Sequence, residues 1–465
     1  MMRDPAWRFV GALVCLALVG LGWVLIAGPS GQGAGGRVQG DAAQAPSAGP
    51  RALHASTAPV AAQTSSFELP PVDANALPVR PFAAAGEVFT DNLKEPYQYM
   101  GPGRDLDDEQ DPDVVKLGLV AQLTGSAAYY GLAMQRGVDM AVYEANEQGG
   151  YQGKKFVVVP RDDLFDMGAN ANAMVKLIFE DRVRAIIGAV HSGNTHVGVR
   201  LALKCEVPQI TSVSTDPTIT EVQIPWAFRC LADDRLQGRA LAAYMFGKKG
   251  YRRVALLNQQ SKYGRMGILE IRSLARRLGR EVLLQMSFTG GQKDFSGIAE
   301  RLVRLKPDAV VIWGLYREAA LLVKALRERG VAAPVLGGDG LVAPIYPELA
   351  GAAAEGTVVT YPFDSERDDP LCREFLKRYR EKYGHDADSF SAHAYDATRI
   401  VIESIRKVGT NRARIRDAMA ATRDFPGVTG PITLDGSGNL VGEVKLAVVE
   451  GGKFRKLGEG GDGGP

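Results

Sequence analysis

Apolar positions along this chain fall into two rhythms that alternate from about Val114 onward. Short and mostly apolar runs begin at Val114 (VVKLGLVAQL), Lys155 (KFVVVP), Arg184 (RAIIGAV), Pro208 (PQITS), Arg253 (RVALLN), Ala309 (AVVIWG) and Gly356 (GTVVT). Between them lie stretches in which apolar residues recur at helical spacing, about every 3.6 positions. These predict helices at Gly131–Asn146, with Val138, Ala141, Val142 and Ala145 on one face, and at Met167–Glu180, Gln237–Lys248, Gly264–Leu278 and Arg317–Arg329. Runs that are apolar on both faces and separated by helices are parallel strands covered on both sides. The region is therefore α/β. About eleven strands are too many for one comfortable doubly wound sheet, whereas two smaller sheets with a cleft between them fit about 340 residues. The units beginning at Val114 and Arg253 also start alike, each with a strand, a polar loop ending in Tyr-Gly (Tyr130-Gly131 and Tyr263-Gly264) and an amphipathic helix. Two similar lobes are expected.

The pattern breaks before Val114. Arg3 and Arg8 precede an apolar run from Phe9 to Ala27, so residues 1–28 read as either a signal peptide or a retained membrane anchor. Both readings send the rest of the chain across a membrane. Residues 29–112 are rich in Ala, Gly, Pro, Ser and Gln and read as a largely disordered linker, whose far end carries Phe89, Tyr97, Tyr99 and Met100 and is placed to dock on the folded region beyond it. Its GxGxxG, at Gly31, Gly33 and Gly36, has no strand before it and no helix after it, and is a product of composition. Residues 457–465 read as a disordered tail.

Composition changes the picture little. The chain has 465 residues, 46% hydrophobic and 23% charged, with a net charge of +2, which is ordinary globular material with no basic stripe for nucleic acid. No HExxH, Walker loop or GxSxG is present, and His191 and His196 do not share a helix face. No catalytic residue, metal or cofactor is expected. Cys205 and Cys230 could pair outside the cytoplasm or stay reduced.

Candidate chemistry concentrates where strands run into small polar loops, as at AIIGAVHSGNT and QITSVSTDPTIT. Such loops at the carboxyl ends of parallel strands hold small ligands with hydroxyls and helix-start amides. These residues also carry a resemblance. Leu-Thr-Gly then Tyr-Gly at Leu123 to Gly131, IIGAVHSGNT, ITSVSTDPTIT, KYG at Lys262, KDFS at Lys293, GGDG at Gly337, AYDA at Ala394 and GPITLDGSGNL at Gly430 succeed one another in a single order over residues 114 to about 456. In that order the chain resembles the branched-chain (leucine, isoleucine, valine) amino acid binding proteins of ABC transporters, which are type I periplasmic binding proteins.

The resemblance implies two Rossmann-like doubly wound lobes joined by a three-crossover hinge, in the Venus-flytrap manner. Lobe 1 would be 113–232 plus 363–430 and lobe 2 would be 233–362 plus 431–456, with crossovers near Leu231–Asp234, Tyr361–Asp364 and Thr429–Ile432. It assigns the Ser192 hydroxyl and amide to the ligand carboxylate, the Thr215 hydroxyl to carboxylate and ammonium together, and the Val213 carbonyl and Asp339 to the ammonium. Asp339 is shorter than the Glu of many members and would meet the ammonium directly or through water. Tyr130 and Tyr263 would pack over the ligand from opposite lobes, with Tyr316, or Leu315 one residue earlier, as a third wall. The disulfide of some relatives falls on Phe165 and His191 rather than on Cys205 and Cys230. The expected function is extracytoplasmic or periplasmic binding of a small amino acid or related amide, as a monomer that docks on ABC permease subunits. A membrane-tethered sensor module is the alternative on the same fold.

Overall fold

The computed structural model describes residues 102–105, 113–125 and 127–458. Strand β1 (Val114–Ala121) is the seed of the first sheet, and its buried side chains run unbroken from Leu117 onward on both faces. It pairs in parallel with β2 (Lys155–Asp162) on one side and β3 (Ile186–Gly188) on the other, and β4 (Gln209–Thr211) and β5 (Ala227–Arg229) extend the sheet to the order β2-β1-β3-β4-β5. The second sheet repeats that plan. Strands β6 (Arg253–Gln259), β7 (Glu281–Phe288), β8 (Ala309–Trp313), β9 (Val335–Gly337) and β10 (Val358–Tyr361) lie in the order β7-β6-β8-β9-β10. In each sheet the first strand sits between the second and third, which places a topological switch point, and hence a ligand crevice, at its carboxyl end. The expected pair of doubly wound lobes is what the chain forms.

Helices α1 (Ala128–Glu147), α2 (Met167–Val175), α3 (Ser192–Cys205), α4 (Asp234–Ala242), α5 (Lys262–Arg277), α6 (Ser296–Leu305) and α7 (Tyr316–Glu328) connect these strands. Three of them start two or three residues before the apolar periodicity does. At α4 the Asp233 carboxylate accepts from the Arg235 and Leu236 amides, and at α5 the Ser261 hydroxyl accepts from the Gly264 amide, so each cap satisfies orphan donors one turn early. Helices α8 (Pro370–Tyr383), α9 (Ser389–Val408) and α10 (Arg412–Ala420) return to the first lobe, where α9 packs along α1.

A small antiparallel sheet comes next, made of β11 (Phe425–Gly427), β12 (Gly430–Leu434) and β13 (Leu440–Val441). It belongs to the first lobe. Asp396 of α9 accepts from the Val428 and Thr429 amides at 2.9 Å each, and the Gly438 carbonyl accepts from the Arg229 amide at 2.8 Å. Only β14 (Lys445–Glu450) and β15 (Lys453–Lys456) rejoin the second sheet, antiparallel beside β10. The third passage between sheets thus falls between Val441 and Lys445, later than Thr429–Ile432, because the buried Arg229 and Asp396 hold residues 428–439 on the first lobe.

Cys205 and Cys230 are not bridged. Helix α3 runs antiparallel to its strands, so Cys205 ends it at the amino edge of the sheet while Cys230 comes after β5 at the carboxyl edge. Within the stretch expected to be linker, Pro102–Asp105 forms a turn of 3-10 helix, and the Asn411 side chain donates to the Gly103 carbonyl at 2.9 Å. Leu457, placed in the tail by sequence, bonds through its amide to the Leu446 carbonyl at 2.8 Å. The apolar run Phe9–Ala27, the remaining linker residues and 459–465 lie outside the described residues. No helix among the described residues is long and apolar enough to cross a membrane.

Candidate functional site

Two glycines aim the two tyrosines. A side chain on Gly131 would put its Cβ 1.8 Å from the Gln122 carbonyl oxygen, and one on Gly264 would stand 2.2 Å from the Gln259 carbonyl oxygen. Only glycine lets α1 and α5 start that close to the ends of β1 and β6, and the preceding Tyr130 and Tyr263 are thereby turned into the space between the lobes. That space is a cavity lined from the first lobe by Tyr130, Phe165, Val190, His191, Ser192, Val213 and Phe390, and from the second by Ser261, Tyr263, Leu315, Asp339 and Gly340. Nearly all of them lie just past carboxyl ends of strands, as the switch-point rule requires.

On the first lobe, Ser192 opens α3, whose first amides have no partner within the helix. The Ser192 Oγ is buried and without a hydrogen-bond partner, whereas the buried Thr215 side chain lies against the Asp234 carboxyl. His191 presents Nε2 to the Gln122 Oε1 at 2.9 Å, and burial pushes its ring down to about 3, so the imidazole is neutral. The loop that carries Thr215 is anchored by Arg229, whose guanidinium, wholly buried, donates to the Asp216 carbonyl at 2.6 Å and to the Thr220 hydroxyl at 2.9 Å.

On the second lobe, Asp339 comes just after β9 and is buried. Burial pushes its carboxyl up to about 6, although hydrogen bonds from Tyr263 and Gln237 and from the amides of Gly340 and of Asp339 itself pull the other way. The Tyr263 hydroxyl donates to Asp339 Oδ1 at 2.9 Å and accepts from the Gly340 amide at 2.9 Å. Gln237 accepts from the Asp339 amide at 3.2 Å and from the Thr360 hydroxyl at 2.6 Å, which fixes the turn. Asp234 lies buried nearby, and burial first and Asp339 second push its carboxyl well above the usual range, against a hydrogen bond from Thr215.

Of the residues singled out from sequence, Ser192, Val213, Tyr130, Tyr263 and Asp339 line one cavity. Thr215 does not line it but stands beside it, buried to 1%. Tyr316 does not line the cavity, whereas Leu315 beside it does. Tyr316 begins α7 and packs behind Tyr130, with ring centroids 5.5 Å apart and its amide donating to the Tyr130 hydroxyl at 3.2 Å.

The profile of the family described as "Periplasmic binding protein" matches residues 114–453. The chain belongs to the periplasmic binding proteins. Among this binding protein's relatives is the Leu/Ile/Val-binding protein homolog 2 of Brucella abortus (strain 2308), 30% identical over 326 residues that cover 70% of this chain and 87% of that one. A leucine-, isoleucine-, valine-, threonine-, and alanine-binding protein of Pseudomonas aeruginosa is 26% identical over 329 residues, 70% of this chain and 87% of its own. Among solved structures it resembles the leucine binding protein LivK of Thermotoga maritima, with a TM-score of 0.71 at 28% identity over 74% of this chain and 98% of the other. The branched-chain amino acid transporter substrate binding protein LivJ of Streptococcus pneumoniae, in complex with isoleucine, gives 0.69 at 29% identity over 74% and 100%. These are solute-binding proteins, and this periplasmic binding protein is likewise a binder rather than an enzyme. Membership implies an extracytoplasmic location.

Sequence reasoning did not assign Phe390, Val190, Ser261 or Gln237 to the site of this binding protein. Phe390 meets Tyr130 edge to face at 4.9 Å between centroids although 260 residues separate them, and no local pattern marks such a pair. Phe165 and His191, the positions where some relatives carry a disulfide, are in contact, with ring centroids 3.6 Å apart.

Proposed function

We propose that this chain is the substrate-binding component of an ABC transporter and that it encloses a small apolar amino acid, or a related amide, between its lobes. One observation carries the reading. The first-lobe wall offers the buried, unpartnered Ser192 hydroxyl at a helix start, with the buried Thr215 hydroxyl two residues past the lining Val213, and the second-lobe wall offers a buried carboxylate that makes hydrogen bonds but no ion pair among the described residues. A ligand with a carboxylate at one end and an ammonium at the other satisfies both walls at once.

In this reading the Ser192 hydroxyl, the first amides of α3 and the Thr215 hydroxyl hold the carboxylate. The Val213 carbonyl and Asp339 hold the ammonium, and Tyr130 and Tyr263 cover the ligand from the two lobes. The side chain faces Val190, Phe165, Leu315 and Phe390, an apolar wall with no ionisable group. The ligands named for several relatives, leucine, isoleucine and valine, fit that chemistry. The protein acts as a monomer, delivers its ligand to permease subunits, and reaches the extracytoplasmic side through its N-terminal apolar run.

The test is a melting-temperature screen of the purified protein against the twenty amino acids and their amides, followed by calorimetry. A ligand at a hundred times its dissociation constant adds about 2.7 kcal/mol to stability. No shift with any amino acid would overturn the reading, whereas a shift with a carboxylate that lacks an ammonium would retain Ser192 and remove the role of Asp339.

A further inference from the structure

Asp216 and Lys262 each stand next to a candidate ligand residue, on opposite lobes. Asp216 comes directly after Thr215 in the loop beyond β4, and Lys262 precedes Tyr263 at the start of α5. The Asp216 side chain is wholly buried, while those of His196 and Lys262, the two bases that reach it, are 22% and 33% exposed. Its Oδ1 accepts from the Thr218 amide at 3.0 Å and the Thr218 hydroxyl at 2.9 Å. Its Oδ2 meets His196 Nε2 at 2.7 Å and Lys262 Nζ at 3.4 Å.

Three of these four partners belong to the same lobe as Asp216. Thr218 is two residues away and His196 lies on α3, so the carboxylate is oriented and partly solvated by its own lobe whether or not the cleft is closed. Arg229 fixes the backbone beneath it through the Asp216 carbonyl. Burial pushes the carboxyl up, but the hydrogen bonds from His196 and Thr218 and the charges of His196 and Lys262 outweigh that and leave it below the usual range. Only Lys262 comes from the other lobe. Opening the cleft would part this one contact and return a partly exposed ammonium to water, while the three contacts from its own lobe do not depend on closure. A contact present in one conformer and absent in the other shifts the equilibrium between them by its whole free energy.

We propose that Lys262 and Asp216 form an interlobe latch, an ion pair that holds the closed conformer and sets how fast bound ligand escapes. Lys262 is a positioning residue that touches no ligand. The latch acts on departure rather than arrival, because ligand enters the open form, where the pair is not made. Salt weakens it, since Lys262 is partly in water. The kinetic test rests on the amino acid reading of the cleft, and a second measurement does not.

The full-length protein and its Lys262→Met and Lys262→Arg variants are compared with L-leucine as probe. In stopped-flow at low ionic strength Lys262→Met should release leucine about two- to fivefold faster, the range of a partly exposed ion pair, with an unchanged association rate and an unchanged melting temperature without ligand. Lys262→Arg should restore most of the difference, and about 1 M NaCl should erase it. An unchanged release rate in Lys262→Met, or a difference that survives high salt, overturns the latch. If no amino acid binds, the cleft reading fails by itself, and the latch is read from the distance between spin labels, one on each lobe, without ligand. Loss of a short-distance population in Lys262→Met supports the latch, and identical distributions refute it.

Discussion

The Tyr130 hydroxyl crosses the cleft and donates to the Gly340 carbonyl at 2.6 Å. The same oxygen accepts from the Tyr316 amide at 3.2 Å, so one first-lobe side chain satisfies an acceptor and a donor of the second lobe. Tyr130→Phe keeps the aromatic packing against Phe390 and leaves both groups buried and unpaired when the lobes are shut. An unmet buried polar group costs about 1 to 3 kcal/mol, so ligand affinity should fall by roughly ten- to a hundredfold, chiefly through faster release. Calorimetry together with stopped-flow would show it, and equal affinity would mean that the closed contact contributes nothing.

Asp339 makes a prediction with a sign. Its carboxyl, at about 6 against an ordinary 3.8, holds a proton more readily in the folded chain than in the unfolded one. Its contribution to stability is therefore present below about pH 4 and lost as pH rises through about 6. Asp339→Asn should stabilise the empty protein near neutral pH by on the order of 2 to 3 kcal/mol, and not measurably below about pH 4. Binding moves the opposite way, since an ammonium needs the ionised form. Wild-type affinity for an amino acid should weaken as pH falls through about 6, and affinity in Asp339→Asn should be low and flat across that range.

Ser192→Ala separates binding from folding. The hydroxyl has no hydrogen-bond partner among the described residues, so its removal should not lower the melting temperature. A hydrogen bond to a charged group contributes about 1.5 to 3 kcal/mol, and affinity should fall by roughly ten- to a hundredfold. A lower melting temperature with unchanged affinity would assign Ser192 to the core instead.

Gly131→Ala and Gly264→Ala test what places the tyrosines. Each new methyl would stand far inside contact distance of a strand carbonyl, 1.8 Å from Gln122 and 2.2 Å from Gln259. Either substitution should cost about 1 to 3 kcal/mol or more, read as a lower urea midpoint, and should weaken ligand binding further by pushing Tyr130 or Tyr263 out of line. Binding that survives intact would show that the helix starts can shift without moving the phenols.

Phe165 covers the cavity from a loop residue in the left-handed region, with φ of 59°. Phe165→Ala should enlarge the apolar wall and move preference toward longer side chains, by about 1 to 3 kcal/mol for each methylene newly accommodated. A competition series from alanine to leucine would measure the shift.

How far the fold and the site were legible in the residues depended on whether the cause was local. Strands such as β1, β6 and β8 are buried on both faces, and their runs of apolar residues announce it. Strand β7 escaped because it lies at the sheet edge, where Glu281, Gln285 and Ser287 face water and break the run. The Tyr-Gly pairs were legible because a glycine after a strand end has a purely local steric reason. Leu315 and Tyr316 were interchangeable in sequence, and only the start of α7 decides which of them lines the cavity.

By itself the sequence determined the alternation of strand and helix, the doubling of the unit, and the short polar loops that carry Ser192, Val213 and Thr215. Each arises from neighbours within a few turns of the chain. Only the tertiary structure decided that Phe390 meets Tyr130, that Tyr130 bonds to Gly340, that Lys262 reaches Asp216, and that residues 428–439 stay with the first lobe. Those contacts join segments tens to hundreds of residues apart. Burial and the closing of two lobes select them, and neither periodicity nor spacing records which distant side chain will fill a given space.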